Sequence, residues 1–170
     1  MDLKTVIRDI PDFPKKGVIF KDITPLLKNP EAFHQVIEQF AQRYRSQKPE
    51  AVAAMESRGF LFGTALAHAL GVPFVPIRKP GKLPWKTVRE TYDLEYGQDA
   101  LEIHEDAFSA GQSVVVIDDV LATGGTAAAA AKLVERAGGV VKELCFLMEL
   151  DFLNGRQKLP SRSVYSIIHY

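Results

Sequence analysis

The chain has 170 residues, 46% of them hydrophobic and 25% charged, with 21 Lys+Arg against 21 Asp+Glu and a formal net charge of zero. Such a chain can form one domain with a sizeable core, and its charge balance argues against a protein whose main business is coating nucleic acid or an anionic membrane. A single cysteine, Cys145, forms no intramolecular disulfide, no apolar run reaches the roughly 20 residues that span a bilayer, and the N-terminus carries acids and a proline where a signal peptide is apolar, so a cytoplasmic location is the default expectation.

Leu3, Val6, Ile7 and Ile10 recur at helical spacing and predict a short amphipathic helix stopped by Pro11. Residues 11–28 are rich in Pro, Gly and Lys and read as irregular, so residues 1–28 form an extension to a single domain over 1–170. Asn29-Pro30 is a cap followed by a first-turn proline, and Phe33, Val36, Ile37, Phe40 and Tyr44 follow on one helix face, an apolar face compatible with a homodimer. Strands and helices then alternate: strand 51–55, helix 59–70 closed by Gly71, strand 73–77, polar segment 78–90, and two antiparallel strands, 92–96 and 100–104, joined through Gly97. Strand 113–118, helix 125–137 ended by Gly138-Gly139, and strands 140–150 and 164–168 complete the chain. This alternation predicts an α/β fold, a parallel central sheet flanked by helices, with ligands bound beyond the carboxyl ends of the strands. The loops at 56–59, 78–90 and 118–126 are therefore the places to look.

The segment Val114–Thr126 carries the strongest chemical signal. Four β-branched residues end in Asp118-Asp119, and Ala122-Thr123-Gly124-Gly125-Thr126 opens a helix. The glycines let backbone approach a ligand, the threonines add hydroxyl donors, and amides at a helix start bind phosphate. Adjacent carboxylates would repel that phosphate, so they suit another part of the ligand, such as a ribose diol. No Gly-Lys-Ser/Thr follows at the spacing of a Walker loop, and no dinucleotide fingerprint is present. Three further segments bear chemistry. Ile19-Phe20-Lys21 puts an aromatic beside an aliphatic in an irregular stretch, able either to stack on a flat base or to pin the extension to the core. Glu56-Ser57-Arg58-Gly59 turns at the ligand end of a strand, where Arg58 either offers a fork of donors to a polyanion or pairs with Glu56. The basic run from Arg78 through Lys79 and Lys82 is either a solvated loop or a lid over a polyanion, and Trp85 in it is the chain's single tryptophan. His34, His68, His104 and His169 are scattered without metal-ligand spacing, and Cys145 reads as a core residue.

Segment 114–126 resembles the phosphoribosyl-pyrophosphate (PRPP) motif of the type I phosphoribosyltransferases, and the other segments resemble the adenine-specific branch of that family over nearly the whole chain. The resemblance implies the type I phosphoribosyltransferase fold, with a small N-terminal hood (1–28) and a mobile β-ribbon lid (78–96). It implies Mg²⁺-dependent transfer of ribose 5-phosphate from PRPP to adenine, releasing pyrophosphate, by a homodimer that needs neither nucleic acid nor membrane. Under it Ala122, Thr123, Gly124, Gly125 and Thr126 hold the 5-phosphate, and Asp118 and Asp119 the ribose hydroxyls. Ser57, Arg58, Lys79 and Lys82 face the pyrophosphate, which carries the Mg²⁺ without a dedicated protein cage. Ile19, Phe20, Lys21 and Leu150 surround adenine, Glu95 acts as acid/base, and Tyr96 covers the reacting centre. Two rivals remain: a non-catalytic PRPP-binding regulator, and a sister enzyme for hypoxanthine, guanine or xanthine.

Overall fold

Alternating side chains along the central strands feed two separate cores. In β3 (Ala51–Met55) all five residues are buried; Val52 and Ala54 enter one core, Ala51, Ala53 and Met55 the other. The same division splits β7 (Ser113–Leu121), where Val115 and Ile117 face the first core and Val114 and Val116 the second. Strands buried on both faces have continuous apolar runs, which is why 114–117 shows no polar alternation. The computed structural model describes residues 1–94 and 97–170.

Five parallel strands form the sheet in the order β4-β3-β7-β8-β9, with β4 Phe74–Ile77, β8 Val140–Glu149 and β9 Val164–His169. Helices α2 (Pro30–Arg45) and α3 (Arg58–Leu70) cover the first face, and α4 (Gly125–Arg136) covers the second. Asn29 caps α2 by accepting from the Glu31 and Ala32 amides, and Gly71 ends α3 in the left-handed region at φ +68°. From β3 the chain moves to one edge of the sheet as β4, then returns to the other side of β3 as β7. The strand order reverses there, and a crevice opens between the carboxyl ends of β3 and β7.

Several elements differ from the sequence expectation. The helical spacing over 3–10 yields only a 3-10 turn at Leu3–Val6; then β1 (Arg8–Pro11) pairs antiparallel with β2 (Ile19–Asp22). Eight residues of periodicity are too few to oppose that pairing, which takes up the backbone groups of 8–11. The stretch 11–28 accordingly holds a strand and the short helix α1 (Thr24–Lys28), whose start is fixed by Asp22 accepting from the Thr24 amide and hydroxyl. The apolar face of α2 is spent inside the chain, since Val36, Ile37, Phe40 and Tyr44 are buried in the first core. The ribbon is longer than expected: β5 (Thr87–Asp93) pairs with β6 (Gln98–His104) in unbroken register. Strand β7 runs on past its acids, because Val120 and Leu121 continue to pair with Met148 and Glu149.

One buried carboxylate ties the first helical layer to the far side of the sheet. Glu143 of β8, 3% exposed, accepts from Arg43 at 2.6 and 2.7 Å, Tyr44 at 2.7 Å and Ser163 at 2.6 Å. Burial alone would raise its pKa; the bonds from Arg43, Ser163 and Tyr44 outweigh this and hold it below the usual glutamate value. A depressed carboxylate pKa stabilises the fold above the unfolded value of about 4.3 and loses that contribution as pH falls through the folded value. Glu143→Gln should therefore cost about 2–3 kcal/mol in urea denaturation at pH 7. Between about pH 5 and 2 the variant should lose less stability than the parent; an equal loss would mean that Glu143 does not set the acid limb.

Candidate active site

The crevice between β3 and β7 is walled by two short loops. After β3, Glu56 and Ser57 lead into α3 through a cis peptide, and Arg58 is the first residue of that helix. Gly59 follows because the site admits nothing larger: a Cβ there would lie 2.8 Å from Asp118 Oδ1. After β7, Ala122–Gly124 turn the chain into α4. Gly124 takes φ +85° with its backbone pressed on the carbonyl of Gly155, so both the dihedral and the packing demand glycine. The first amides of α4 are left without helical acceptors and face this loop, an arrangement suited to an anion.

Together these loops enclose a cavity of about 260 Å³ lined by Glu56, Ser57, Arg58, Lys79, Asp118 and Asp119 on the charged side and by residues 120–124, Thr126 and Ala127 on the other, with Leu101 and Phe146 at its base. Its charges are already paired. Arg58 Nε lies 2.9 Å from Asp119 Oδ2. That oxygen nevertheless has no partner in hydrogen-bonding geometry among the described residues, so the contact is an ion pair with a lone pair to spare. Glu56 accepts from the Lys79 amide at 2.5 Å and from Lys82 Nζ at 3.1 Å, and lies 3.4 Å from Arg78. The Lys79 ammonium is bonded to Asp99 of β6.

The phosphoribosyl transferase domain model matches residues 22–168. An adenine phosphoribosyltransferase from Syntrophotalea carbinolica is 54% identical over 169 residues, 99% of either chain. This chain belongs to the adenine phosphoribosyltransferase family. The crystal structure of a Thermoanaerobacter pseudethanolicus adenine phosphoribosyltransferase shares the fold with a TM-score of 0.97 at 56% identity, covering 99% of this chain and 98% of that one. The Saccharomyces cerevisiae adenine phosphoribosyltransferase, solved with an imino-altritol bisphosphate and adenine, gives 0.93 at 45% identity over 97% and 96% of the two chains. The five-stranded parallel sheet between helical layers is the type I phosphoribosyltransferase fold.

Of the residues that the family resemblance singles out, Ser57, Arg58, Lys79, Asp118, Asp119, Ala122, Thr123, Gly124 and Thr126 line this one cavity, and Gly125 starts the adjoining helix. Lys82 does not line it but is paired to Glu56, which does. The Glu56–Arg58 pair weighed from sequence is not the pairing found: Glu56 serves Arg78 and Lys82, and Arg58 serves Asp119. Ile19, Phe20 and Lys21 sit on the β1–β2 ribbon outside the lining. The Arg58 guanidinium lies over the Phe20 ring, 5.0 Å from its centre, while Lys21 is held by Asp9 at 2.7 Å and by the Tyr170 ring at 3.7 Å. Leu150 is half-buried beyond the lining and donates its amide to Leu121. Glu95 and Tyr96 lie outside the described residues. Trp85 is 61% exposed, on the lid but away from the cavity lining.

Sequence reasoning passed over Glu56 as a ligand-side anchor, Val120 as an apolar wall, and Asp99 altogether. Val120 follows the acid pair directly and could have been found from strand alternation. Asp99 is twenty positions from Lys79 and left no local signal.

The two aspartates do not titrate as surface acids. Burial first, then the charge of Asp119, raises Asp118 well above the usual value, and burial raises Asp119 against the opposing pull of Arg58. Burial lets the pair keep a proton while the site is empty, and a cation or hydroxyl-rich neighbour favours its ionised form. Arg58→Ala removes the cation that favours ionisation, so the pair's carboxyl titration, followed by ¹³C NMR, should move to higher pH. A downward or absent shift would show that Arg58 does not govern the pair.

Proposed function

We propose that this chain transfers ribose 5-phosphate from PRPP to adenine, giving AMP and pyrophosphate in purine salvage, with Mg²⁺ carried by the pyrophosphate. What supports the reading is one cavity that sets an amide-rich phosphate loop, an acid pair and a cationic wall side by side, in a chain whose full-length relatives carry that name.

Breaking the bond between ribose C1 and pyrophosphate builds positive charge on the sugar. The loop Ala122–Thr126 holds the 5-phosphate through backbone amides and the Thr123 and Thr126 hydroxyls. Asp118 and Asp119 accept from the ribose hydroxyls, and their charge favours a cationic sugar; the spare lone pair of Asp119 Oδ2 fits a donor arriving with the substrate. Ser57, Arg58 and Lys79 take the departing pyrophosphate, joined by Lys82 once it leaves Glu56. Mg²⁺ would be held by pyrophosphate oxygens and water, with no dedicated protein cage, and would neutralise charge on the leaving group. Phe20, Ile19 and the backbone of Lys21 cover one face of adenine; Leu150 lies toward the other. Glu95 handles the proton at the N7 side as the base gains ribose, and Tyr96 covers the site; both roles rest on the family resemblance.

A cytoplasmic homodimer is part of the same proposal. Among the described residues no helix is long and apolar enough to cross a membrane. Since the α2 face is consumed internally, the contact must use other surface, for which Leu61 of α3, 42% exposed, is available. Sedimentation velocity reads the oligomer directly.

Assays with PRPP, Mg²⁺ and each purine in turn should give product with adenine and far less with hypoxanthine, guanine or xanthine. Asp118→Asn and Arg58→Ala should each lower kcat on the order of 100-fold while moving adenine affinity much less. Near-normal AMP synthesis in both variants would sink the assignment. Glu95→Gln should leave PRPP affinity by calorimetry largely intact, and a large loss there would remove its acid/base role.

A further inference from the structure

The cation wall is occupied before any substrate arrives. Lys79 lines the cavity, yet its ammonium is turned onto Asp99, a half-buried carboxylate on β6 of the ribbon. Asp99 is well placed to keep it. Its Oδ1 accepts the Ala100 amide at 2.8 Å, which fixes the carboxylate, and its Oδ2 takes both Lys79 and the Tyr92 hydroxyl, the latter at 3.2 Å. Tyr92 is the cross-strand partner of Asp99 in the ribbon register and packs against the second core, so the carboxylate stands on a supported surface. The same hydroxyl lies 3.4 Å from Lys79 Nζ and 3.3 Å from the Thr126 hydroxyl of the phosphate loop. Burial disfavours the Lys79 ammonium, but Asp99 and Tyr92 together more than offset it and raise the pKa, so the lysine stays charged.

We propose that Asp99 is a positioning residue that acts through Lys79, an internal counter-anion that occupies the ammonium until the pyrophosphate of PRPP displaces it. The carboxylate keeps a half-buried cation satisfied in the empty site and keeps the β5–β6 ribbon anchored to the cavity wall. Pyrophosphate, with more charge and more acceptor oxygens, wins the ammonium by exchange. Other anions of lower charge do not, so the ion pair sets a threshold that favours a polyanion over a monoanion. Substrate binding then releases the Asp99 end of the ribbon from the wall. This rests on the reading of Lys79 as a pyrophosphate ligand.

The test measures Mg²⁺-pyrophosphate affinity by calorimetry and KM for PRPP and adenine, in four full-length proteins: parent, Asp99→Asn, Lys79→Ala and the double variant. Asparagine keeps the acceptor for the Ala100 amide while removing the charge. With the competitor gone, Asp99→Asn should bind pyrophosphate about two- to fivefold more tightly, the range of a partly exposed ion pair, and lower KM for PRPP with adenine KM unmoved. Lys79→Ala should weaken pyrophosphate about tenfold. In the Lys79→Ala background the Asp99→Asn gain should vanish. A gain that persists there would mean general repulsion of the polyanion and overturn the exchange. Weaker or unchanged binding in Asp99→Asn, with Lys79→Ala still impaired, overturns the counter-anion and leaves Lys79 a ligand. Unchanged binding in Lys79→Ala overturns the ligand assignment and this proposal with it. A tighter-binding variant is not an outcome that a damaged ribbon produces, and thermal melts of all four proteins show whether the fold is intact.

Discussion

The parallel pairing of β3 with β7 places everything else in the site. Ala51–Ala54 run beside Val114–Ile117 in register, so β3 ends level with the acids of β7, and the residues that follow Met55 come out beside Asp118 and Asp119. One strand delivers Ser57 and Arg58 and the other delivers Asp118, Asp119 and the phosphate loop. Because the chain reverses its winding direction there, α3 and α4 start on opposite faces of the sheet and leave the crevice uncovered. The pairing rests on small, β-branched residues. Gly59 and Gly63 of α3 admit no Cβ against Asp118, Ala54 and Ile117, which brings that helix close enough for Arg58 to reach Asp119.

On that frame lies a site whose charges nearly cancel. Arg58 faces Asp119, Lys79 faces Asp99, and Lys82 shares Glu56 with Arg78. In a partly enclosed cavity an unpaired ion is costly, and each pair removes that cost while no substrate is present. Binding a polyanion with its cation is then an exchange of partners rather than the filling of a positive hole. The proposed exchange would favour a multiply charged ligand, because a single negative charge offers each cation little that its carboxylate does not.

The sheet was legible in the sequence because its signal is long and redundant. Apolar runs at 51–55, 114–117 and 140–149, punctuated by Gly71 and Gly138-Gly139, leave little room for another reading, and the observed ends differ by a few residues at most. The N-terminal ribbon was not legible. Its strands are four residues each, their partners lie eleven or so positions away, and the pairing of Arg8–Pro11 with Ile19–Asp22 overrides an eight-residue helical spacing. That Asp118, Asp119 and Ala122–Thr126 would come together at one crevice was legible for the opposite reason, since the acids, glycines and threonines are adjacent in the chain between a strand and a helix. The cations' partners could not, since Glu56 meets Lys82, and Asp99 meets Lys79, across 26 and 20 positions of chain.

The far side of the phosphate loop shows why long-range pairing matters to a site that reads as local. Gly124 packs backbone to backbone against Gly155, and a Cβ at Gly155 would in turn strike the Ala122 carbonyl. Arg156, the next residue, is held by Glu149 at 2.7 and 2.8 Å, and Glu149 also accepts from Ser166 of β9. Burial works against the Glu149 carboxylate, but the Arg156 bond dominates and keeps its pKa low, so the clamp stays charged at neutral pH. A loop made flexible by glycine would lose on binding the entropy that its freedom confers. Here the freedom is removed in advance by two glycines in contact, with the Glu149–Arg156 ion pair behind them. The motif Ala122–Thr126 thus names the ligand chemistry, while Glu149, Gly155 and Arg156 supply the rigidity that makes the motif a site.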